Sequence, residues 1–531
     1  MPWRAKEGPP SSVAVADRVQ TILASRKLTL YQVSQRSIKL YGRSSPYFVP
    51  HNLYYDLRRG CFTPSIHQIV TLSCISGYRL PDWLRVFGFD VEDIVRLQVL
   101  LPQRRTILLD ASLTDRNAWI PWVRNRESRE PIPPVAPLAQ FLEATPPRRI
   151  SSVSKTSRNF LYAKIGREDA LAFPDLVPGS IVRVNPEIAA DLSPRKNSQM
   201  SDRFFLIEHS KGFTCSRIRS LANSTIALVD NVLSYAQVEL QCPRKARIWG
   251  AIDFELRPVV RFEQPHVPKD LARRWEPQAL VDEQGFGQLL STNRRRLRIS
   301  TREAADMSRT IGELMNDDRY VCSSSSLSDY ELRDTPPRDF HKVISLCSIY
   351  GLRFETVMKR MGVEIAECGE EPLPDHFVSR GGPALTARQP DEANGAGLLE
   401  NLLDGCQNEI PFFLRNLWEY FAGSPRVSLD DFFWIGSDHD PLHPCLVNGL
   451  LVLVNRRRKT PFHLESKPLW EQPIYVVLLR GGIYLAACCG IENNKLVIHP
   501  YGPDFHPSTE YRHHRDAEVV GQLVAVARRF P

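Results

Sequence analysis

The chain has no run approaching the roughly 20 apolar residues that would span a bilayer, and its opening, MPWRAKEGPPSSVAVADRVQ, lacks the uninterrupted apolar core of a secretory signal. A cytoplasmic protein with no membrane attachment is the expectation. Its eleven cysteines include no CxxC pair, and their odd number excludes a fully paired disulfide framework; reduced thiols fit better than a zinc cluster. Cys488 and Cys489, adjacent in sequence, cannot easily chelate one metal and read as small buried apolar residues. No metal and no cofactor is expected. Charge of one sign is scarcely in excess either: a net +8 over 531 residues permits a nucleic-acid partner without demonstrating one. What is present is ordinary for folded domains, with 43% apolar and 24% charged residues, so global disorder is excluded. At roughly 100–200 residues per domain the length implies several cores.

Self-similarity is the most informative feature. Residues 166–185, GREDALAFPDLVPGSIVRVN, match residues 436–455, GSDHDPLHPCLVNGLLVLVN, without a gap at a shift of 270. The same shift lays Phe205-Leu206-Ile207 on Tyr475-Val476-Val477 and Gly212 on Gly482, and one residue more lays Gly250 on Gly521. These short apolar runs bounded by Gly and Asn predict strands. Upstream, LTLYQVSQRS at Leu28 faces ISTREAADMS at Ile299, and IVTLSCISGYRLPDWLRVFG at Ile69 faces VISLCSIYGLRFETVMKRMG at Val343. Each half is thus a helical module, a connector and a β-rich module. The boundaries fall at 14–100 (helical), 101–158 (Pro-rich connector), 159–262 (β-rich), 263–280 (linker), 281–364 (helical), 365–400 (linker, mobile by composition) and 401–531 (β-rich). The fold class is α+β multidomain.

Thr29-Leu-Tyr-Gln32 and Ser300-Thr-Arg-Glu303 are capping boxes at matched positions, each predicting a helix start. After each come a helix, a polar break, a short segment and two amphipathic helices ending in LRVFG or MKRMG. This order, with Arg59-Gly60 and Thr63-Pro64-Ser65 after the short segment, resembles the XRE/Cro-type helix-turn-helix domain, whose second motif helix lies in the major groove. The second copy departs from it, with Arg333-Asp334 in place of Arg-Gly and an extra residue near Pro336-Pro337, and both copies carry a long insertion before the presumed recognition helix. The resemblance implies double-stranded DNA as partner. It places His51, Asn52 and Tyr55, and in the second copy Ser324, Ser325 and Ser328, toward bases. Arg43, Arg58, Arg59, Arg302 and Arg319 become phosphate contacts. The run Arg294-Arg295-Arg296-Leu297-Arg298 reads equally as a solvated helix face.

The β-rich modules, an apolar strand, a Pro, then LVxG and VxVN, resemble the LexA-like, signal-peptidase-like fold of self-cleaving repressors, whose activity needs a Ser nucleophile and a Lys base. Alignment on the Pro puts Leu171 and Pro441 at the nucleophile position and Ser216 and Ala486 at the base position. Neither copy then has a dyad, so no catalytic residue is assigned. The fold is implied, cleavage is argued against, and dimerisation remains. A rival hydrolase or metal reading rests on Ser437, Asp438, His439, Asp440 and His443, five polar groups within seven positions; the first copy has nothing similar. His513-His514 read as loop residues.

The sequence therefore predicts a bacterial, nucleoid-associated transcriptional regulator, a repressor by analogy, whose duplicated halves pair as an intramolecular pseudo-dimer or across a homodimer. Divergent reading residues predict unequal half-sites about one helical turn apart. Without a dyad, release falls to an unknown effector, a partner or degradation. The alternative is an interaction or ligand-sensing protein in stress or phage defence with degenerate DNA-binding heads.

Overall fold

A computed structural model describes residues 12–60, 64–110, 135–138, 140, 160–173, 175–191, 203–221, 224–229, 238–259, 285–363, 365, 368–374, 429–436, 450–462, 472–499 and 508–530. The protein is mixed α+β, with a helical N-terminal region, a large antiparallel sheet and a helical middle segment. The described residues fall into two compact units. One, of helices, lies within Met1–Pro102, Leu108–Leu113 and Asp282–Ala393; the other, of strands, lies within Gln103–Ile107, Thr114–Val281 and Asn394–Pro531. Like modules therefore cluster with like, rather than each half forming its own body.

The helices of the first module are α1 (Ser12–Ser25), α2 (Leu30–Tyr41), α3 (Leu53–Arg58), α4 (Ile66–Ser76), α5 (Leu80–Val86) and α6 (Glu92–Leu100). Those of the second are α7 (Phe286–Leu297), α8 (Thr301–Met315), α9 (Ser324–Arg333), α10 (Phe340–Tyr350) and α11 (Phe354–Arg360). Both expected capping boxes form, Thr29 with Gln32 and Ser300 with Glu303, and Ser65 with Gln68 adds a third at α4. An N-cap hydroxyl of this kind contributes about 1 kcal/mol. A second device repeats inside the fold. Ser37 Oγ donates to Ser34 O (2.8 Å) and accepts from Val49 N (3.2 Å); Ser308 Oγ donates to Ala305 O (2.7 Å) and accepts from Cys322 N (2.8 Å). Each buried hydroxyl fastens the chain that enters the short third helix to α2 or α8.

The altered turn of the second copy is built differently but reaches the same backbone shape. Gly60 has φ +68° and Asp334 φ +52°, a left-handed region that Asp tolerates better than most residues. The Asp334 carboxylate is also used, accepting from Gly287 N at 2.6 Å near the start of α7.

The two helical modules grip one another by their tails. Gln98 Nε2, on α6, donates to Cys347 O (3.1 Å) and Leu352 O (3.4 Å) of the second module. Reciprocally, Gly369 N donates to Ser73 Oγ (3.2 Å), Arg79 N to Glu371 O (2.9 Å), and Arg26 pairs with Glu371. A shift of 274 lays Ser73 on Cys347, so the exchange is reciprocal, as in an isologous contact. The described part of the 365–400 stretch, residue 365 and residues 368–374, is docked on the first module through Gly369, Glu371 and Leu373. Within the 101–158 connector, Asp110 is buried, accepts from Phe354 N at the start of α11 and donates its own N–H to Gln98 Oε1 (2.9 Å). Proline content marked these stretches as connectors; single polar side chains dock them.

The strands are β1 (Ile107–Leu109), β2 (Val135–Pro137), β3 (Leu161–Lys164), β4 (Ile181–Asn185), β5 (Phe204–His209), β6 (Gly212–Ser220), β7 (Thr225–Val229), β8 (Val238–Gln241) and β9 (Ala246–Pro258). From the second half come β10 (Phe432–Ile435), β11 (Leu450–Asn455), β12 (Ile474–Leu479), β13 (Ile483–Glu492), β14 (Lys495–His499), β15 (Thr509–Arg512) and β16 (Ala517–Arg529). One sheet runs β15-β14-β13-β12-β16-β9-β5-β6-β7-β8. The PIPPVAPLAQ stretch, expected as connector, supplies β2, which pairs with β10, Val135 opposite Ile435.

Register makes the internal symmetry explicit. β9 meets β16 antiparallel, Pro258 opposite Ala525 and Phe254 opposite Arg529, with Leu256 opposite Ala527 at the centre. Leu256 and Ala527 are 271 residues apart, the spacing that lays Gly250 on Gly521, so the centre of the pairing joins equivalent residues. Bulges also coincide: β4 on β9 slips between Arg183 and Val184, and β11 on β16 between Leu453 and Val454. Gly250 and Gly521 are required by close approach. A Cβ on Gly250 would lie 2.3 Å from Asn185 O, and one on Gly521 2.6 Å from Asn455 O. Each Asn closes its turn by accepting a backbone N–H two residues on, from Glu187 (3.1 Å) and Arg457 (3.0 Å).

Candidate nucleic-acid interface

In the first head, α1 orients α3. Tyr54 OH donates to the Asp17 carboxylate (3.0 Å), Ser12 Oγ to Arg58 O (3.3 Å), and Arg58 Nη1 to Tyr54 OH (3.2 Å). Val49, Leu53 and Leu57 are buried beneath. That leaves His51, Asn52, Tyr55, Arg58 and Arg59 exposed together, Tyr55 at 63%, with Arg43 exposed in the preceding loop. Asn52 does not cap α3; its amide donates to Asp56 Oδ2 (2.7 Å). One N–H and the amide oxygen remain for a bidentate contact with adenine.

The second head is wired inward. Ser323, rather than Ser324, caps α9, and its Oγ lies 2.9 Å and 2.8 Å from the hydroxyls of Ser325 and Ser326. Ser328 Oγ is turned back to Ser324 O (2.9 Å). Arg319 is held by the Asp317 carboxylate through Nη2 (2.7 Å) and Nε (3.0 Å). Burial works to raise the Asp317 carboxyl, but the Arg319 bonds outweigh it and hold the group below its usual range, while the same hydrogen bond raises the guanidinium. Arg333 pairs with Asp329 at 3.3 Å. Arg302 is exposed on α8. The acids of this face were missed by the search for basic and polar readers; aligning the copies at a shift of 274 reveals them, since Asp329 then stands on Tyr55 and Asp334 on Gly60.

Behind α3 and behind α9 a Tyr and a His meet edge to face, Tyr47 with His67 at 4.7 Å and Tyr320 with His341 at 4.9 Å. Their surroundings differ. Burial, helped by Arg338, lowers the His67 imidazole. His341 Nδ1 lies 2.7 Å from Asp339 Oδ1, and its Nε2 is 3.7 Å from Asp317. Burial again works upward on the Asp339 carboxyl, and the bonds to His341 carry it below its usual range.

In the sheet unit, Leu171 is buried, Pro441 and the whole Ser437–His443 cluster lie outside the described residues, and Ala486 is buried. Ser216 donates to Arg217 O (2.7 Å) and Val229 O (3.2 Å). Register refines the alignment by one residue: Ser216 faces Phe205 and Ala487 faces Tyr475, so the partner of Ala486 is Cys215. Cys215 belongs to a buried polar group absent from the sequence reading. Ser180 Oγ donates to Glu255 Oε1 (2.7 Å), both fully buried, and burial pushes the Cys215 thiol well up, with Asp169 and Glu255 adding to it. His513 and His514 sit in the turn before β16, ring centroids 3.8 Å apart. Among the described residues no three His, Cys, Asp or Glu side chains gather as metal ligands, and no helix is long and apolar enough to cross a membrane.

No family model and no curated protein matches the chain. Among solved structures it overlaps Streptomyces albus HEPD with substrate 2-hydroxyethylphosphonate and Fe(II) bound, at 9% identity over 98% of this chain and 92% of that one. The TM-score is 0.14, too low for the overlap to bear on fold or function.

Proposed function

We propose that the chain is a sequence-specific double-stranded-DNA-binding transcriptional regulator, a repressor, built as a covalent pseudo-dimer of XRE-type heads and non-cleaving LexA-like modules. The observation that carries this reading is the pairing of β9 with β16 about Leu256 and Ala527. Dimeric helix-turn-helix proteins present their heads through a self-complementary contact, and here such a contact joins two halves of one sequence. Fusion turns that association into an intramolecular one at high effective concentration. Basic and polar exposure on α3 supplies phosphate and base contacts. Release in this reading depends on an effector or partner, because Leu171 and Ala486 offer neither a nucleophile nor a base. Random-pool DNA selection with the full chain at two salt concentrations tests it. A discrete motif with affinity falling steeply with salt supports a regulator; weak, sequence-independent capture sinks it in favour of an interaction protein.

A further inference from the structure

Reading the two heads side by side separates them chemically. Residues 12–60 hold eight Lys and Arg against two Asp, whereas residues 285–334 hold eight Arg against eight Asp and Glu. A face that binds phosphate needs cations in excess of acids, and residues 12–60 have that excess. In the second head the compensation is local: Arg319 is locked to Asp317, Arg294 to Glu331 (2.7 Å), Arg309 to Asp306 (2.9 Å) and Arg333 to Asp329.

The reading helix itself follows the same division. With the buried Leu53 laid on the buried Leu327, His51 meets Ser325, Tyr55 meets Asp329, Arg58 meets Leu332, and Gly60 meets Asp334. Where the first head offers Tyr55, Arg58 and Arg59, the second offers the Asp329 carboxylate, a Leu that is 84% exposed and Arg333, which is paired with Asp329, and a second carboxylate replaces Gly60. Carboxylates at these places would stand against a phosphate backbone, and the serine hydroxyls beside them bond to one another and to α9.

Resting on the regulator reading above, we infer that only the first head reads DNA, so that each chain occupies a single half-site. The second head acts as the packing partner that holds the first through the Gln98 and Glu371 tails. This replaces the unequal half-sites expected from sequence divergence with one reading head per chain. A site with two half-sites is then filled by two chains.

The test combines selection with one double variant of the full chain. Random-pool selection followed by measurement of chains bound per duplex gives one half-site per chain if the inference holds. The variant Arg58→Glu with Arg59→Glu, both exposed and so compatible with folding as checked by circular dichroism, loses all sequence-specific capture, about tenfold or more per contact. Arg58→Lys with Arg59→Lys keeps the charge and retains salt-dependent capture. A bipartite site filled by one chain, or a new motif still selected by the Glu variant, overturns the inference while leaving the regulator reading intact. Failure of the unaltered chain to select any motif overturns the regulator reading and this inference with it.

Discussion

The two β-rich modules share strand order, bulges and the Asn–Gly contact, yet their cores are chemically unlike at one place. Where the first module buries Ser180, Cys215 and Glu255, the second buries Leu450, Ala486 and Val526 within a continuous apolar cluster. The backbone is indifferent to this exchange; the side chains decide whether the site is a polar network or a plain core. A half-satisfied buried carboxylate is a weak way to stabilise a fold. Among the described residues Glu255 Oε2 has no hydrogen-bond partner, although Arg528 stands opposite it across the β9–β16 pairing. That arginine is lowered by burial, a shift that Glu255 and Asp175 oppose. One architecture thus carries two solutions, and the polar one is tied to the seam between the modules.

That comparison breaks most sharply by importing the acid into the apolar copy. Val526→Glu places a carboxylate among Leu450 and Ala486 and is expected to destabilise by about 3–5 kcal/mol, read as a loss of urea midpoint. A smaller and equal effect is expected at the shared contact: Gly250→Ala and Gly521→Ala each drive a Cβ into a backbone carbonyl, costing about 1–3 kcal/mol. Unequal losses would show that the two seams are not equivalent. Removing the acid from the polar copy by Glu255→Val strands the Ser180 hydroxyl, at about 1–3 kcal/mol; adding Ser180→Leu and Cys215→Ala should recover much of it, and a triple variant worse than the single refutes the equivalence of the two cores.

The heads give a gentler, pH-resolved version. His67 is held below its ordinary value, so the folded first head binds fewer protons than the unfolded chain just below pH 6.5 and should lose stability as pH falls through that range. Asp317 and Asp339 are depressed, so their contribution is present above the ordinary carboxyl range and fades only as pH drops through their lower folded values. Replacing His67 by Gln should remove the earlier loss and leave the later one, as followed by thermal melts from pH 7 to 3.

The repeat, the capping boxes and the strand runs were legible because each rests on spacing along the chain. Thr29, Ser300, Gly250 and Gly521 announced themselves in this way. What escaped was set by partners distant in sequence: Asp110 on Phe354, Glu371 on Arg79, β2 on β10. No local pattern records such encounters. The grouping of like modules into two units was hidden for the same reason, since a tandem repeat reads identically whether its copies stand apart or pair. At the candidate interface, residue types were visible, but the closure of Arg319 onto Asp317 and of the serines onto one another depends on rotamers.

Leu256 opposite Ala527 has one more implication. In a homodimer the residue on the symmetry axis meets its own copy, so a large side chain must face a large one and a small one a small one. This pair, both fully buried, sets a bulky residue against a methyl group. No self-pairing chain has access to that combination, and a substitution on one side of the axis is not echoed on the other. Pairing two unlike halves releases the axis from self-recognition, and volume lost on one strand is free to be regained across it.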